Sequence, residues 1–157
     1  MRISPWGWIG LTTLFMIAND WLFVLITILS DLSHSSHWFF VMDKNYVPLN
    51  LSSLEVLAMA LIVGPVFEEL VFRGPVFLCR DLDRPSVAVF VSGALFGVVH
   101  LLNGISYFAA LQIAISGCLY GLLVLKTENL FCPMIAHSFH NLHIAIAVWI
   151  GKLFGAA

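Results

Sequence analysis

Hydrophobic residues run through this chain in five long stretches, roughly 6–29, 54–78, 86–102, 105–125 and 130–150. Each meets or approaches the ~20 residues a helix needs to cross a hydrocarbon core of ~30 Å. The pattern predicts an all-α fold, a polytopic transmembrane bundle of about five membrane helices forming a single integral membrane domain over 1–157. The third stretch is short and only Asn103-Gly104 separates it from the fourth, so this pair is expected as a tight hairpin or a partly re-entrant one. Small residues recur at packing spacing in Gly93-x-x-x-Gly97 and Gly117-x-x-x-Gly121, where helix backbones can approach closely. Between the first two stretches, roughly 30–53, Asp31, His34, His37, Asp43, Lys44 and Asn45 surround Trp38-Phe39-Phe40. That reads as an interfacial segment, since Trp gathers at headgroup level. His34 and His37 stand at i and i+3 without a third ligand nearby, so no metal site is expected there.

Composition agrees with a bilayer location: 61% of the 157 residues are hydrophobic and 10% charged, with a mean hydropathy of +0.98. A net charge of −2 and the lack of any Lys/Arg run argue against a nucleic-acid partner and leave the lipid bilayer as the expected surroundings. Cys79, Cys118 and Cys132 are odd in number and form no C-x-x-C pair, so they read as small apolar residues. The apolar run after Arg2 is longer than the ~7–15 residues of a secretory signal and no A-x-A-like site follows, which predicts an uncleaved first span. With five spans, Arg2, Arg80, Arg84 and Lys126 fall on one side and Lys44 and Lys152 on the other. The positive-inside rule then puts the N-terminus in the cytoplasm, and the compact form suggests a bacterial cytoplasmic membrane.

Against that background, six polar side chains stand out inside apolar stretches: Glu68, Glu69, Arg73, His100, His137 and Asn141. A charge at the centre of a membrane helix costs roughly 2.5–3.5 kcal/mol on insertion scales, so such residues mark function by default. Pro65 and Pro75 flank the acidic pair and each removes a backbone donor. Glu69 and Arg73 stand at i and i+4 in the order that favours pairing, whereas Glu68 lies about 100° round the helix and is left as the candidate general base. His137 and Asn141 share one face of the last stretch. His140 adjoins that face as a reserve, and His143, turned away, is expected at the interface. At 1.5 Å per residue Glu68, His100, His137 and Asn141 reach overlapping depths, so one cavity can hold them, between helices two, three and five.

Glu68-Glu69-x-x-x-Arg73, Phe96-x-x-x-His100 and His137-x-x-x-Asn141, in this order on successive apolar helices, resemble the three motifs of the CPBP family of intramembrane proteases, also called the Abi or CAAX-protease family. The likeness covers roughly 60–145 and extends to the lead-in Asn129-Leu130-Phe131-Cys132-Pro133-Met134. It implies an intramembrane endopeptidase acting on a membrane-associated protein or peptide. Glu68 with His100 would activate a water, His137 and Asn141 would stabilise the oxyanion, and Glu69 and Arg73 would support the site. The chain is shorter than eukaryotic CAAX prenyl proteases, so the likeness leaves a prenylated substrate unspecified.

Three further readings stay open at the level of sequence. Glu68, His100 and His137 could instead ligate zinc and leave a position for water, although no H-E-x-x-H spacing fixes such a geometry and no cofactor is the preferred expectation. The polar residues could form an interhelical network in a non-enzymatic immunity or scaffold protein, or a proton relay.

Overall fold

A computed structural model describes residues 3–32 and 54–153. Its elements are α1 (Pro5–Leu32), α2 (Leu54–Ala58), a π-helical segment (Met59–Val63), α3 (Gly64–Leu78), α4 (Pro85–Leu102), α5 (Tyr107–Thr127) and α6 (Phe131–Leu153). The α2, π and α3 segments follow one another without interruption and make a single rod, so the described residues form five rods where five were expected. The interfacial segment, with His34, His37 and Lys44, lies outside the described residues.

Local sequence explains where the rods end. Pro85 occupies the first turn of α4, where its missing N–H does no harm. Gly104, at φ +95°, makes the turn after α4, and Ser106 then caps α5 by accepting from the Ala109 amide at 3.3 Å. The pair is therefore a hairpin of two full helices, the tighter of the two expected forms. At the other end of α5, Glu128 adopts the left-handed conformation (φ 50°), and the Asn129 side chain accepts from the Phe131 amide at 2.8 Å to open α6.

Three of the rods, Pro5–Ile26 within α1, Pro85–Leu102 and Tyr107–Thr127, are long and apolar enough to cross a membrane. The other two are of comparable length but carry the polar residues, Glu55, Glu68, Glu69 and Arg73 on one and His137, His140, Asn141 and His143 on the other. Large apolar side chains face outward along the bundle, among them Trp6, Phe67, Phe90, Leu111 and Ile146, as a lipid-exposed surface requires.

Packing inside the bundle follows two clusters. Ile9 and Met16 of α1 meet Tyr120 and Leu123 of α5 and Cys132 and Ala136 of α6. Val76 of α3, Val89 of α4 and Val124 of α5 form the second. Cys132 is thus a small core residue, and all three cysteines are free. The two G-x-x-x-G runs face each other across α4 and α5. A Cβ on Gly93 would collide with the Cys118 side chain and lie 2.8 Å from its backbone nitrogen, and one on Gly97 would lie 2.6 Å from the Ala110 carbonyl.

Gly93→Ala should therefore lower stability by about 1–3 kcal/mol, because the obstacles include backbone atoms that cannot rotate away. Gly74→Ala, with nothing within 4 Å of its new methyl, serves as the control and should be neutral or slightly stabilising. Thermal unfolding in detergent compares the two, and equal midpoints would show that α4 and α5 are not so closely apposed.

Candidate active site

The site begins with a defect in the helical ladder. Gly64 donates its amide five residues back to the Met59 carbonyl, which is the π geometry. A Cβ on Gly64 would sit 2.9 Å from that same carbonyl, so glycine suits the position. At the same spacing the Ala60 carbonyl would need the amide hydrogen of residue 65, which is proline and has none. Asn141 Nδ2 of α6 donates to it instead, at 2.8 Å. A carbonyl orphaned by Pro65 thereby ties α6 to the rod that carries the acidic pair, and the backbone group is satisfied without water.

One turn further along, Glu69 and Arg73 are fully buried and form an ion pair with Arg73 Nε 3.1 Å from Glu69 Oε2. The other carboxylate oxygen, Oε1, accepts from His137 Nδ1 at 2.9 Å. Among the described residues Arg73 has no further oxygen partner; its guanidinium is set among aromatic faces, 4.4 Å from the Phe96 ring centre, 5.2 Å from Tyr120 and 5.8 Å from Phe72. Room for it comes from Gly117, where a Cβ would lie 3.0 Å from Arg73 Nη2. The second small-residue run thus does more than pack helices, since it makes space for a buried cation.

His137 is held on three sides. Besides Glu69, its ring stacks on Tyr120 (4.8 Å between centres, 22° between planes) and meets the Phe96 ring edge-on at 6.0 Å. Because a carboxylate only accepts, Nδ1 carries a hydrogen, which turns Nε2 toward the remaining carboxylate. Glu68 Oε2 stands 3.8 Å from that nitrogen, and the Glu68 side chain keeps 35% of its exposure where Glu69 keeps none. The two neighbouring glutamates therefore differ sharply in environment.

Glu68, Glu69, Arg73 and His137 come together as expected, and Asn141 joins them through Ala60. His100 is placed differently from the pairing that the CPBP likeness implied. Its Nδ1 donates to the Phe96 carbonyl at 2.8 Å and its ring packs edge-on against Phe96 at 4.5 Å. Among the described residues no hydrogen bond joins it to Glu68, and no three His, Cys, Asp or Glu side chains are arranged to hold a metal ion, the set Glu68, His100 and His137 included. His140 faces away from the acidic pair, with Nε2 2.7 Å from Asp20 Oδ2. His143 turns Nδ1 toward the same carboxylate, 3.6 Å from Asp20 Oδ2.

Residues 50–143, well over half of the chain, match the sequence family described as type II CAAX prenyl endopeptidase, Rce1-like. The chain belongs to that family. Neither a curated protein nor a solved structure matches it. Rce1-like membership makes the chain a CAAX-type intramembrane endopeptidase whose substrate is a membrane-associated protein, and it agrees with the three apolar helices in placing the chain in a membrane. All six residues singled out from the sequence fall within the segment matched to the Rce1-like family.

Sequence reasoning missed Tyr120, Ala60 and Asp20. Tyr120 and Ala60 carry no signal in an apolar helix. Asp20 did, since it interrupts the first apolar stretch as plainly as Glu68 interrupts the second.

Removing either member of the Glu69–Arg73 pair strands the other charge in the bundle, so Glu69→Leu and Arg73→Met should each cost about 3–5 kcal/mol. The double variant should recover much of that loss. Thermal unfolding of purified protein measures all three, and unchanged midpoints in both single variants would show that the pair does not form.

Proposed function

We propose that this Rce1-like protein cleaves a peptide bond of a membrane-associated protein or peptide with a glutamate-activated water and without a metal ion. The observation that supports this reading is the arrangement around His137, with Glu69 2.9 Å from Nδ1 and Glu68 3.8 Å from Nε2. The gap to Glu68 is too long for a direct hydrogen bond and lets a water or a carbonyl oxygen touch both groups. Two carboxylates, Arg73 and a protonated His137 sum to zero charge, the arrangement a low-dielectric interior tolerates best.

In this mechanism Glu68, the more exposed carboxylate, takes a proton from water as the hydroxide oxygen bonds to the scissile carbonyl carbon. His137 Nε2–H donates to the developing oxyanion, and Glu69, with Arg73 behind it, keeps that ring in place. Asn141 has two amide hydrogens; one is committed to Ala60, and the other is the second donor to the oxyanion. His100 commits Nδ1–H to Phe96, which leaves its Nε2 lone pair as an acceptor for the attacking water. Collapse of the tetrahedral intermediate breaks the C–N bond, and the proton on Glu68 passes to the departing amine.

The test starts by comparing membrane proteomes of cells carrying the wild-type chain or Glu68→Ala, in search of fragments that require the wild type. On a substrate found this way, Glu68→Gln, His100→Ala and His137→Ala should each abolish cleavage while the protein stays inserted and folded. Near-wild-type rates in all three would remove the catalytic assignment. Strong chelators should leave the rate unchanged, whereas stoichiometric zinc whose removal and return switch activity off and on would replace this mechanism by a metal-dependent one.

Asn141→Ala should lower kcat by about 10²–10³ with little change in KM, the scale associated with losing one oxyanion donor. Steady-state kinetics on a defined peptide decide this, and full activity would leave Asn141 only its bond to Ala60.

A further inference from the structure

A second polar cluster sits between α1, α5 and α6. Asp20 Oδ1 accepts from Gln112 Nε2 at 2.6 Å, and Oδ2 accepts from His140 Nε2 at 2.7 Å. His143 Nδ1 approaches the same Oδ2 at 3.6 Å. On its other ring nitrogen, Nδ1, His140 meets the Tyr120 hydroxyl at 3.4 Å, and both His140 and Tyr120 are buried. Tyr120 is the platform on which the His137 ring stacks. One continuous chain of contacts thus runs from Asp20 through His140 and Tyr120 to His137.

The direction of the hydrogen bonds follows from chemistry. Asp20 only accepts, so His140 carries a hydrogen on Nε2, and in its neutral form Nδ1 is left as an acceptor. The Tyr120 hydroxyl then donates to it, which pins the far end of the phenol. With that end pinned and Arg73 5.2 Å from the same ring, the tilt of Tyr120 is set, and with it the plane available to His137. An acidic residue within the first apolar helix is costly to keep there, and holding this ring is a use that nothing else in the site accounts for.

We infer that Asp20 is a positioning residue for His137, acting through His140 and the Tyr120 ring, so that a helix outside the family-matched segment 50–143 completes the site. The inference builds on the proposed role of His137, but the coupling itself can be read without a substrate.

The experiment uses the full chain in lipid nanodiscs with ¹⁵N-labelled histidine, the His137 ring signals being identified by their loss in His137→Gln. Tyr120→Phe keeps the stacking ring and drops the hydroxyl, Asp20→Ala removes the anchor, and Ile9→Val, which loosens the α1 core beside Tyr120 but leaves every hydrogen bond of the cluster in place, is the packing control. Tyr120→Phe and Asp20→Ala should shift the His137 ring nitrogens in the same direction, and the double variant should move them no further than the larger single change. Ile9→Val should leave them in place. Should Asp20→Ala fail to fold, Asp20→Asn, nearly the same shape but uncharged, takes its place and is read beside Tyr120→Phe. On a cleaved substrate, Tyr120→Phe should lower kcat by about 10–100-fold with KM unchanged, the size of effect expected from a misplaced catalytic group. Unmoved His137 signals in Tyr120→Phe, or shifts in the Asp20 variant no larger than those of Ile9→Val, would overturn the inference. Either result would leave the proposed hydrolysis standing, while loss of that proposal through an active Glu68→Gln would leave the nanodisc result intact.

Discussion

The polar residues of the candidate site are arranged around one carboxylate. Glu69 has no access to solvent and gives one oxygen to Arg73 and the other to His137. A carboxylate in such a place is tolerable only when both oxygens are engaged, and each engagement recruits a different helix. Arg73 draws in the aromatic faces of Phe96 and Tyr120 and requires the bare backbone at Gly117, so α4 and α5 must close around it. His137 fixes the rotation of α6. The bare backbone at Gly117, the aromatic faces around Arg73 and the placing of α6 therefore all go with burying the Glu69 carboxylate.

The same constraint separates two adjacent residues that are chemically identical. Glu69 is spent on architecture, whereas Glu68, its neighbour about 100° round the helix, retains access and has no close hydrogen-bonding partner among the described residues. Helical geometry alone gives a neighbouring pair one buried and one accessible member, the difference that the proposed mechanism uses. The resemblance assigned those roles in the same order, and the burial difference supplies a physical reason for it.

Much of this was readable beforehand because bilayers leave few options for a chain. The boundaries of α4, expected near 86–102 and found at Pro85–Leu102, follow from apolar length and a proline, both local properties. The pairing of Glu69 with Arg73 is an i,i+4 relation and equally local. What could not be read are contacts between helices distant in sequence. The Tyr120–His137 stack is invisible in an apolar run, and His100 faces its own Phe96 carbonyl because ring orientation depends on neighbours that the motif does not specify. Asp20 was legible by the very criterion that picked out Glu68, but no motif accompanied it, and the approach of His143 to it could not be read.

The π segment gives chain length itself a role in the chemistry. One extra residue over Met59–Val63 offsets everything before it from everything after it by about 100° of rotation, the angle of a single helical position. The direction in which the acidic pair points is thus set by how many residues precede it as well as by which ones they are. Composition can drift along this rod while side chains stay apolar, but an insertion or deletion of one residue between Leu54 and Gly64 would act like turning a key. A deletion that closed the ladder would swing the Ala60 carbonyl and the acidic pair about 100° apart, so that Asn141 and His137 of α6 could no longer meet both at once.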